Sequence, residues 1–533
     1  MSGSFEGILA RDSDEWSTLA TTLPRMTSRQ AFPKICVALG LPRVESLLEH
    51  AKREIENGEA FLEFRLDYLE CPEKGLPAIK DFLTAHPEAM LLATCRRRHN
   101  HGRFDGSVEH ELAILNAAID HGAHAVDVEI ETAEAIAGKL PGLRDRARLI
   151  ISWHNFETTP NLEVALRRLT RIPADAYKLV TTARKPTDVG RVLAVGKHNP
   201  RVPLIILAMG ETGFATRVLS PACNGIFTYA APTSAEGTAA GQVSSRQLRK
   251  QYRADRLSRS TKIFCIIADP VGHSLSPVIH NRAFQLRRID AVYVPMLVNT
   301  GHLRDFMKLA IELPIAGFSV TIPHKQKIIR YLDHIEPLAR RIGAVNTVWR
   351  KAGKWRGTNT DAAAVIKPLE EKLTLARTRI LIAGSGGAAR AAACALSDSG
   401  ASIFITGRNF DRVRMLARFA GGEALTHDQT LASYFDAVVH ATPLGTFPHT
   451  EECFFEGAIP ADLVFDMVYN PLETLLIRRA REQGKQVIPG MRMFIEQAVA
   501  QFELWTGEPA PRPAMETAVL EALEQKSKAH PTL

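Results

Sequence analysis

One pattern recurs eight times from Pro33 onward: a short apolar run of strand length followed by a stretch of helical period. The runs span residues 33–39, 60–67, 89–95, 124–130, 148–153, 176–180, 202–209 and 225–230. Between the fifth and sixth, Leu162, Ala165, Leu166 and Leu169 fall at i, i+3, i+4 and i+7, one face of a helix. Eight strands with helical crossovers in about two hundred residues predict a closed (β/α)8 barrel, here over 31–250. An open doubly wound sheet is the alternative, but it usually has fewer strands. Residues 242–260 are basic, then polar, and read as a last barrel helix and a short linker.

A second strand rhythm covers 261–268, 291–296 and 315–321. A third opens at 379–383, runs at once into Gly384-Ser-Gly-Gly-Ala-Ala-Arg, and continues at 402–406, 437–440, 463–467 and 486–488. Strand, glycine turn, helix, strand is the order of a dinucleotide-binding unit. The expected organisation is a polar tail over 1–30, the barrel over 31–250, a substrate-binding domain over 261–365 and a Rossmann-like domain over 366–490. Helices over 491–533 carry Met493, Phe494, Ala498, Phe502 and Trp505 and should pack back on the substrate domain. The fold class is α/β throughout.

Composition excludes several functions. Apolar residues are 45% of the 533 and charged residues 23%, the balance of a folded chain rather than a disordered one. The longest clean apolar run, 202–210, is far shorter than a bilayer span of roughly twenty. The acidic N-terminus does not read as a secretory signal. Seven cysteines stand singly with no C-x-x-C pair, so no zinc or other metal site is expected, and the setting reads as reducing and cytoplasmic. A net charge of +8 without basic blocks interleaved by aromatics argues for arginines that hold carboxylates or phosphates, not for nucleic acid.

In Phe61-Leu-Glu-Phe-Arg-Leu-Asp67 the apolar side chains share one face and Glu63, Arg65 and Asp67 the other. In a barrel that charged face points inward, where charge is costly unless paired or functional. A purely structural ion pair is the plain alternative. His154 ends the fifth strand and Lys178 lies within the sixth, among apolar neighbours. A lysine there should shed its charge, and a neutral amine can attack a ketone and form an imine. A snorkelling lysine is the alternative. Arg96 ends the third strand, and Arg217 and Gln242 follow the seventh and eighth, positions suited to a substrate carboxylate.

Glu63-Phe-Arg-Leu-Asp, Thr94-Cys-Arg96, Ser152-Trp-His154, Lys178, Thr216-Arg217 and Ala240-Gly-Gln242 resemble type I 3-dehydroquinate dehydratase over about 31–245. The resemblance implies that Lys178 forms a Schiff base with the C3 ketone of 3-dehydroquinate. It makes His154 the group that takes the C2 proton and hands one to the departing C1 hydroxyl. Arg217 would hold the carboxylate, with Glu63, Arg65, Arg96, Thr238 and Gln242 lining the pocket. The chain departs from that family at Asn100, Ala38 and Asn155, where glutamate, serine and aspartate are usual. Asn100 can hydrogen-bond an imidazole but cannot stabilise its cation as a carboxylate would.

Gly272-His-Ser274-Leu-Ser276-Pro277 places two hydroxyls before a helix, as an anion cradle or as ordinary capping. Ser319-Val-Thr321-Ile-Pro-His-Lys325, Gly343-Ala-Val-Asn346-Thr and Gly357-Thr-Asn-Thr-Asp361 follow, ahead of the glycine turn. In this order they resemble shikimate dehydrogenase over about 261–530. The resemblance implies Lys325 and Asp361 as the catalytic pair, Ser274 and Ser276 on the carboxylate, and Thr321, Asn346 and Gln497 on ring hydroxyls. Tyr469 should line the cleft. Ser319 and Ser385 stand where Asn and Ala are commoner, and both being small, little effect is expected.

Cofactor residues would be Gly384, Ser385, Gly386, Gly387, Ala388 and Thr442, with Arg408 and Arg412 near the end of the next strand. No acidic residue stands there for a ribose 2′-hydroxyl, whereas two arginines suit a 2′-phosphate, so NADP(H) is expected rather than NAD. The two resemblances imply one bifunctional enzyme. It would dehydrate 3-dehydroquinate and then reduce 3-dehydroshikimate to shikimate, with small-molecule partners only, no membrane, no nucleic acid and no stated oligomeric form. The rivals are a second half acting on quinate, a sensor that kept both folds without turnover and, more distantly, a nucleic-acid binder.

Overall fold

The computed structural model describes residues 31–529 apart from 234–236, 239–240 and 448. The tail expected over 1–30, and Ala240, lie outside the described residues. Contacts divide the chain into two compact units, one running to Thr261 and including Met296–Leu313, the other comprising Lys262–Pro295 and the chain from Pro314 onward.

In the first unit eight parallel strands follow one another: β1 (Ile35–Leu39), β2 (Phe61–Arg65), β3 (Met90–Thr94), β4 (Ala125–Glu129), β5 (Arg148–His154), β6 (Ala176–Thr182), β7 (Leu204–Met209) and β8 (Thr228–Ala230). They pair in the order β7-β6-β5-β4-β3-β2-β1-β8. A parallel bridge from Leu204 to Gly225 brings β7 to the segment before β8, so the sheet is a nearly closed barrel.

The strand period of two sorts the interior into layers. Phe61, Leu92, Ala125, Ile150, Ala176 and Ile205 belong to one buried apolar cluster. Two residues further along the same strands, on the same face, stand Glu63, Thr94, Asp127, Ser152 and Lys178, all buried. The opposite face of β2 meets the surrounding helices, with the Phe64 ring 5.7 Å from Phe82. The barrel is therefore oily at the N-terminal ends of its strands and charged toward the C-terminal ends.

Two local expectations are corrected. β2 stops at Arg65, because Leu66–Tyr68 turns into a 3-10 helix. Where a last barrel helix was expected, the chain forms a short π-helical turn, Gln247–Gln251.

The second unit has two six-stranded sheets. The first contains β9 (Lys262–Ala268), β10 (Ala291–Leu297), β11 (Ile315–Val320), β12 (His334–Ile335), β13 (Thr347–Lys351) and β14 (Lys354–Thr358), ordered β10-β9-β11-β13-β14-β12. The hairpin β13–β14 was not anticipated; Ala352 and Gly353 turn it with φ of 51° and 76°, the left-handed pair that a two-residue hairpin requires. The second contains β15 (Arg379–Ala383), β16 (Ser402–Thr406), β17 (Glu423–Ala424), β18 (Phe435–His440), β19 (Ala461–Asp466) and β20 (Gln486–Ile488). Its order, β17-β16-β15-β18-β19-β20, is that of a dinucleotide-binding sheet.

Helix Gly490–Thr506 presses Trp505 on Phe264 at 5.2 Å, and its indole N–H donates to Val348 O at 3.1 Å. Among the described residues, no helix is long and apolar enough to cross a membrane.

Gly317 in β11 leaves the room this indole occupies: a Cβ there would stand 2.8 Å from Trp505 Nε1 and 2.9 Å from Val348 O. Gly317→Ala should destabilise the second unit by about 1–3 kcal/mol. A thermal melt followed by circular dichroism measures this, and an unchanged midpoint contradicts the packing described.

Candidate active sites

The barrel site grows from the charged inward layer. Lys178 Nζ donates to Asp127 Oδ2 at 2.9 Å and to Tyr229 Oη at 3.1 Å, and lies 3.9 Å from Glu63 Oε1. This corrects the picture of a lysine among apolar side chains alone: the inward face of the neighbouring strands supplies anions. Asp127 also accepts from Ser152 Oγ at 2.5 Å. Burial pushes the Asp127 carboxyl up, but Lys178 and Arg96, with the hydrogen bonds from Lys178 and Ser152, outweigh it and hold the group below its ordinary value. Glu63 accepts from Thr94 Oγ1 at 2.7 Å.

Arg65 reaches Asp67 through two hydrogen bonds of 2.8 Å, so for this pair the structural ion-pair reading is realised. Arg96 Nε stands 3.4 Å from Glu129 Oε1 and Nη2 4.0 Å from Asp127. Among the described residues neither of these buried nitrogens makes a hydrogen bond, so both are donors facing a polar interior. Burial drives the Glu129 carboxyl up to about 7 and the Arg217 guanidinium down to about 10. Thr238 lies by the end of β1, its Cγ2 2.8 Å from where a Cβ on Gly40 would stand, and Gln242 is half-buried just beyond.

His154 ends β5 next to the strand of Lys178 and stacks on Phe156 at 5.6 Å, while Phe156 meets His101 at 4.0 Å. Burial first, then the charges of Arg96, Lys178 and Arg65, push its imidazole well below the ordinary value. Asn100 does not serve as the imidazole's partner: its amide donates to Glu131 at the surface, at 3.2 Å. Sequence reasoning missed Asp127, Glu129 and Tyr229. The alternation in Ala125-Val-Asp-Val-Glu129 carried the same signal as β2.

In the second unit Lys325 Nζ lies 2.6 Å from Asp361 Oδ2. Asn346 Nδ2 donates to Asp361 Oδ1 at 2.8 Å and to Thr360 Oγ1 at 3.0 Å, so it ties the aspartate to the start of β13. Ser276 is buried and Ser274 half-buried; Ser274 Oγ accepts from the Ser276 N–H at 3.2 Å, a local turn bond ahead of helix Ser276–Leu286, whose N-cap Leu275 gives no side-chain cap. Thr321 is half-buried after β11. Tyr469 stacks on Phe494 at 4.2 Å, and burial raises its phenol to about 12.

Ser319 matters more than its size suggested. It accepts from Tyr293 Oη at 2.7 Å and donates to Gln501 Oε1 at 2.8 Å, and Gln501 in turn reaches Thr347 Oγ1 at 3.0 Å. Gln501 therefore anchors helix Gly490–Thr506, while Gln497, one turn earlier, bonds the carbonyl of Phe494 at 2.9 Å.

The glycine turn after β15 fits a dinucleotide. Gly384 has φ 130°, and a Cβ there would meet Ala441 O at 2.7 Å. A Cβ on Gly386 would meet nothing within 4 Å, so open space lies where a pyrophosphate approaches the N-terminus of helix Gly387–Asp398. Ser385 and Ala388 flank that opening, half-buried, and Arg408 and Arg412 stand exposed beyond β16. Lys325 Cδ is 3.4 Å from a Cβ position on Gly387, which sets the Lys325–Asp361 pair beside the turn. Among the described residues, no group of three or more His, Cys, Asp or Glu side chains could hold a metal.

Residues 35–259 match the family profile of type I 3-dehydroquinase, 266–348 the shikimate dehydrogenase substrate binding domain, and 490–520 the shikimate 5′-dehydrogenase C-terminal domain. The chain is 34% identical over 509 residues to the chloroplastic bifunctional 3-dehydroquinate dehydratase/shikimate dehydrogenase of Arabidopsis thaliana, covering 90% of this chain and 83% of that protein. It is 39% identical over 277 residues to the shikimate dehydrogenase (NADP(+)) of Desulforamulus reducens, covering 48% and 94%. Among solved structures, shikimate 5-dehydrogenase of Thermus thermophilus in complex with NADP(H) and shikimate aligns with a TM-score of 0.46 and 31% identity, over 49% of this chain and 100% of that one.

Removing one member of a buried ion pair strands the other. Lys178→Met should therefore lower the stability of the barrel by about 3 kcal/mol. Urea denaturation followed by near-ultraviolet dichroism checks this, and a stability equal to wild type contradicts the pairing with Asp127.

Proposed function

The chain belongs to the family of bifunctional 3-dehydroquinate dehydratase/shikimate dehydrogenases, and on that premise we propose how its residues divide the work. The first half dehydrates 3-dehydroquinate to 3-dehydroshikimate, and the second reduces that product to shikimate with NADPH. The expected divisions, 31–250, 261–365, 366–490 and 491–533, are our assignment of barrel, substrate domain, cofactor domain and closing helices.

In the barrel, Lys178 Nζ attacks the C3 ketone and water departs as the Schiff base forms. Asp127, ionised and 2.9 Å away, pairs with the amine and must release it before it can attack. His154, kept neutral by burial and by the surrounding cations, takes the C2 proton and returns one to the C1 hydroxyl as it leaves as water. Water then releases 3-dehydroshikimate from the lysine. Arg96 and Arg217 are the donors we assign to the substrate's carboxylate and hydroxyls, with Glu63, Arg65, Thr238 and Gln242 around them. The observation that carries this reading is a buried amine, held by a carboxylate at 2.9 Å, one strand from a depressed imidazole at the same end of the barrel.

In the second half, bound NADPH supplies the hydride for the ketone carbon of 3-dehydroshikimate. Lys325 holds the proton for the ketone oxygen, and Asp361, fixed by Asn346, keeps that ammonium in place. Proton donation of this kind contributes about 10² to 10⁴ in rate. Ser274 and Ser276 are assigned to the carboxylate, Thr321, Asn346, Gln497 and Tyr469 to the ring. Gly384, Ser385, Gly386, Gly387 and Ala388 would cradle the pyrophosphate, Arg408 and Arg412 the 2′-phosphate, and Thr442 the far half of the cofactor. Seven free cysteines support a reducing, cytoplasmic setting.

Lys178→Ala should abolish dehydration while reduction of added 3-dehydroshikimate continues. Borohydride with 3-dehydroquinate should leave a mass adduct on Lys178 in the wild type; no adduct would point to the sensor reading instead.

The imidazole makes a second test. A base must be neutral, and a depressed pKa keeps it neutral as pH falls through the ordinary value near 6.5. His154, assigned by NMR through its loss in His154→Gln, should titrate below that value. A midpoint at or above 6.5 contradicts the environment described.

A further inference from the structure

The second unit carries a buried polar chain that the proton and hydride steps do not use. His440, 1% exposed, ends β18. Its Nδ1 lies 2.8 Å from Asp466 Oδ1 at the end of β19, and its Nε2 2.5 Å from Thr442 Oγ1. Asp466 is fully buried and accepts further bonds from the Val468 N–H at 3.0 Å and the Thr474 hydroxyl at 2.5 Å. Three donors converging on one carboxylate is the arrangement of an ionised acceptor. Nδ1 is then the donor; with the ring taken as neutral, as a premise, Nε2 is the acceptor. Thr442 gives its single proton to His440 and also accepts from the Leu444 N–H at 3.3 Å. What it presents outward is a lone pair.

Topology indicates what meets that lone pair. β15, with its glycine turn, lies between β16 and β18. A dinucleotide crosses such strand ends with its pyrophosphate at the turn. Arg408 and Arg412 follow β16, so the 2′-phosphate half belongs on that side and the nicotinamide half on the β18 side. Thr442 is two residues past β18, its Cγ2 3.5 Å from a Cβ position on Gly384.

Resting on the NADP(H) assignment above, we propose that Asp466 and His440 fix the Thr442 hydroxyl as an acceptor for a donor on the nicotinamide half of the cofactor, its carboxamide N–H or a ribose hydroxyl. The same polarity makes Thr442 a poor neighbour for a phosphate oxygen, which has no proton to give. Asp466 and His440 act only through Thr442 and are positioning residues.

Calorimetry on the full chain with two probes tests this: NADP+ and adenosine 2′,5′-bisphosphate, which lacks the nicotinamide half. Thr442→Val and His440→Phe should each weaken NADP+ about tenfold, the loss of one hydrogen bond, and leave the bisphosphate unchanged. Retained bisphosphate binding also reports that the cofactor sheet is folded. The double variant should bind NADP+ no more weakly than either single one. His440→Gln, which offers one donor and one acceptor, should recover most of the affinity.

Equal weakening of both probes, additive losses in the double variant, or unchanged NADP+ binding in either single variant overturns the relay. If His440→Phe does not fold, near-native binding by His440→Gln together with selective loss in Thr442→Val is still required. Failure of the wild type to bind NADP+ at all would instead sink the cofactor assignment itself.

Discussion

The ion pair between Lys178 and Asp127 is the constraint around which the barrel interior is arranged. A lone ammonium in that interior would face a desolvation penalty of several kcal/mol. The carboxylate 2.9 Å away offsets it, and Ser152 and Arg96 in turn stabilise the carboxylate. The pair needs its own layer, above the apolar cluster of Phe61, Leu92 and Ile150 that closes the base of the barrel. Along the inward face of β2 to β6 an apolar residue comes first and a polar or charged one two positions later. The carboxylate that makes the ammonium tolerable there is also the partner the amine must leave before it can act as a nucleophile.

The second half solves a related problem with less burial. Lys325 keeps 16% of its side-chain surface exposed against 6% for Lys178, and its partner Asp361 is secured by an amide rather than by a second cation. The difference follows from the chemistry assigned to each. A nucleophile that forms a covalent bond is helped by a dry, polarised interior. A proton donor at the edge of a cleft needs only to be held in line and to regain its proton after each turnover.

Much of this was legible in the sequence, because period-two alternation survives folding unchanged. The inward charges of β2, the eight-strand rhythm and the glycine turn after β15 are direct projections of backbone geometry. What escaped depended on pairing across strands. Asp127 and Glu129 alternate with apolar residues as plainly as the charges of β2 do, but nothing in the sequence said that β4 would bring Asp127 to Lys178. Ser319 was judged by its size, whereas its importance comes from Tyr293 and Gln501, distant in the chain and adjacent in space. The hairpin β13–β14 was hidden because its turn, Ala352-Gly353, puts a non-glycine residue at positive φ.

The substitution at Asn100 takes on a different meaning once His154 is seen in its surroundings. A carboxylate beside an imidazole raises its basicity and favours the cation. Here Asn100 bonds Glu131 instead, and beyond burial the charges of Arg96, Lys178 and Arg65 all favour the neutral ring of His154. A weaker base removes the C2 proton less readily, but its conjugate acid gives that proton up more readily to the departing C1 hydroxyl. On the roles we propose, one group performs both transfers, so lowering its pKa moves free energy from the first step to the second rather than simply impairing the cycle. The stack on Phe156 orients the ring without adding charge, which is the kind of support a neutral shuttle requires.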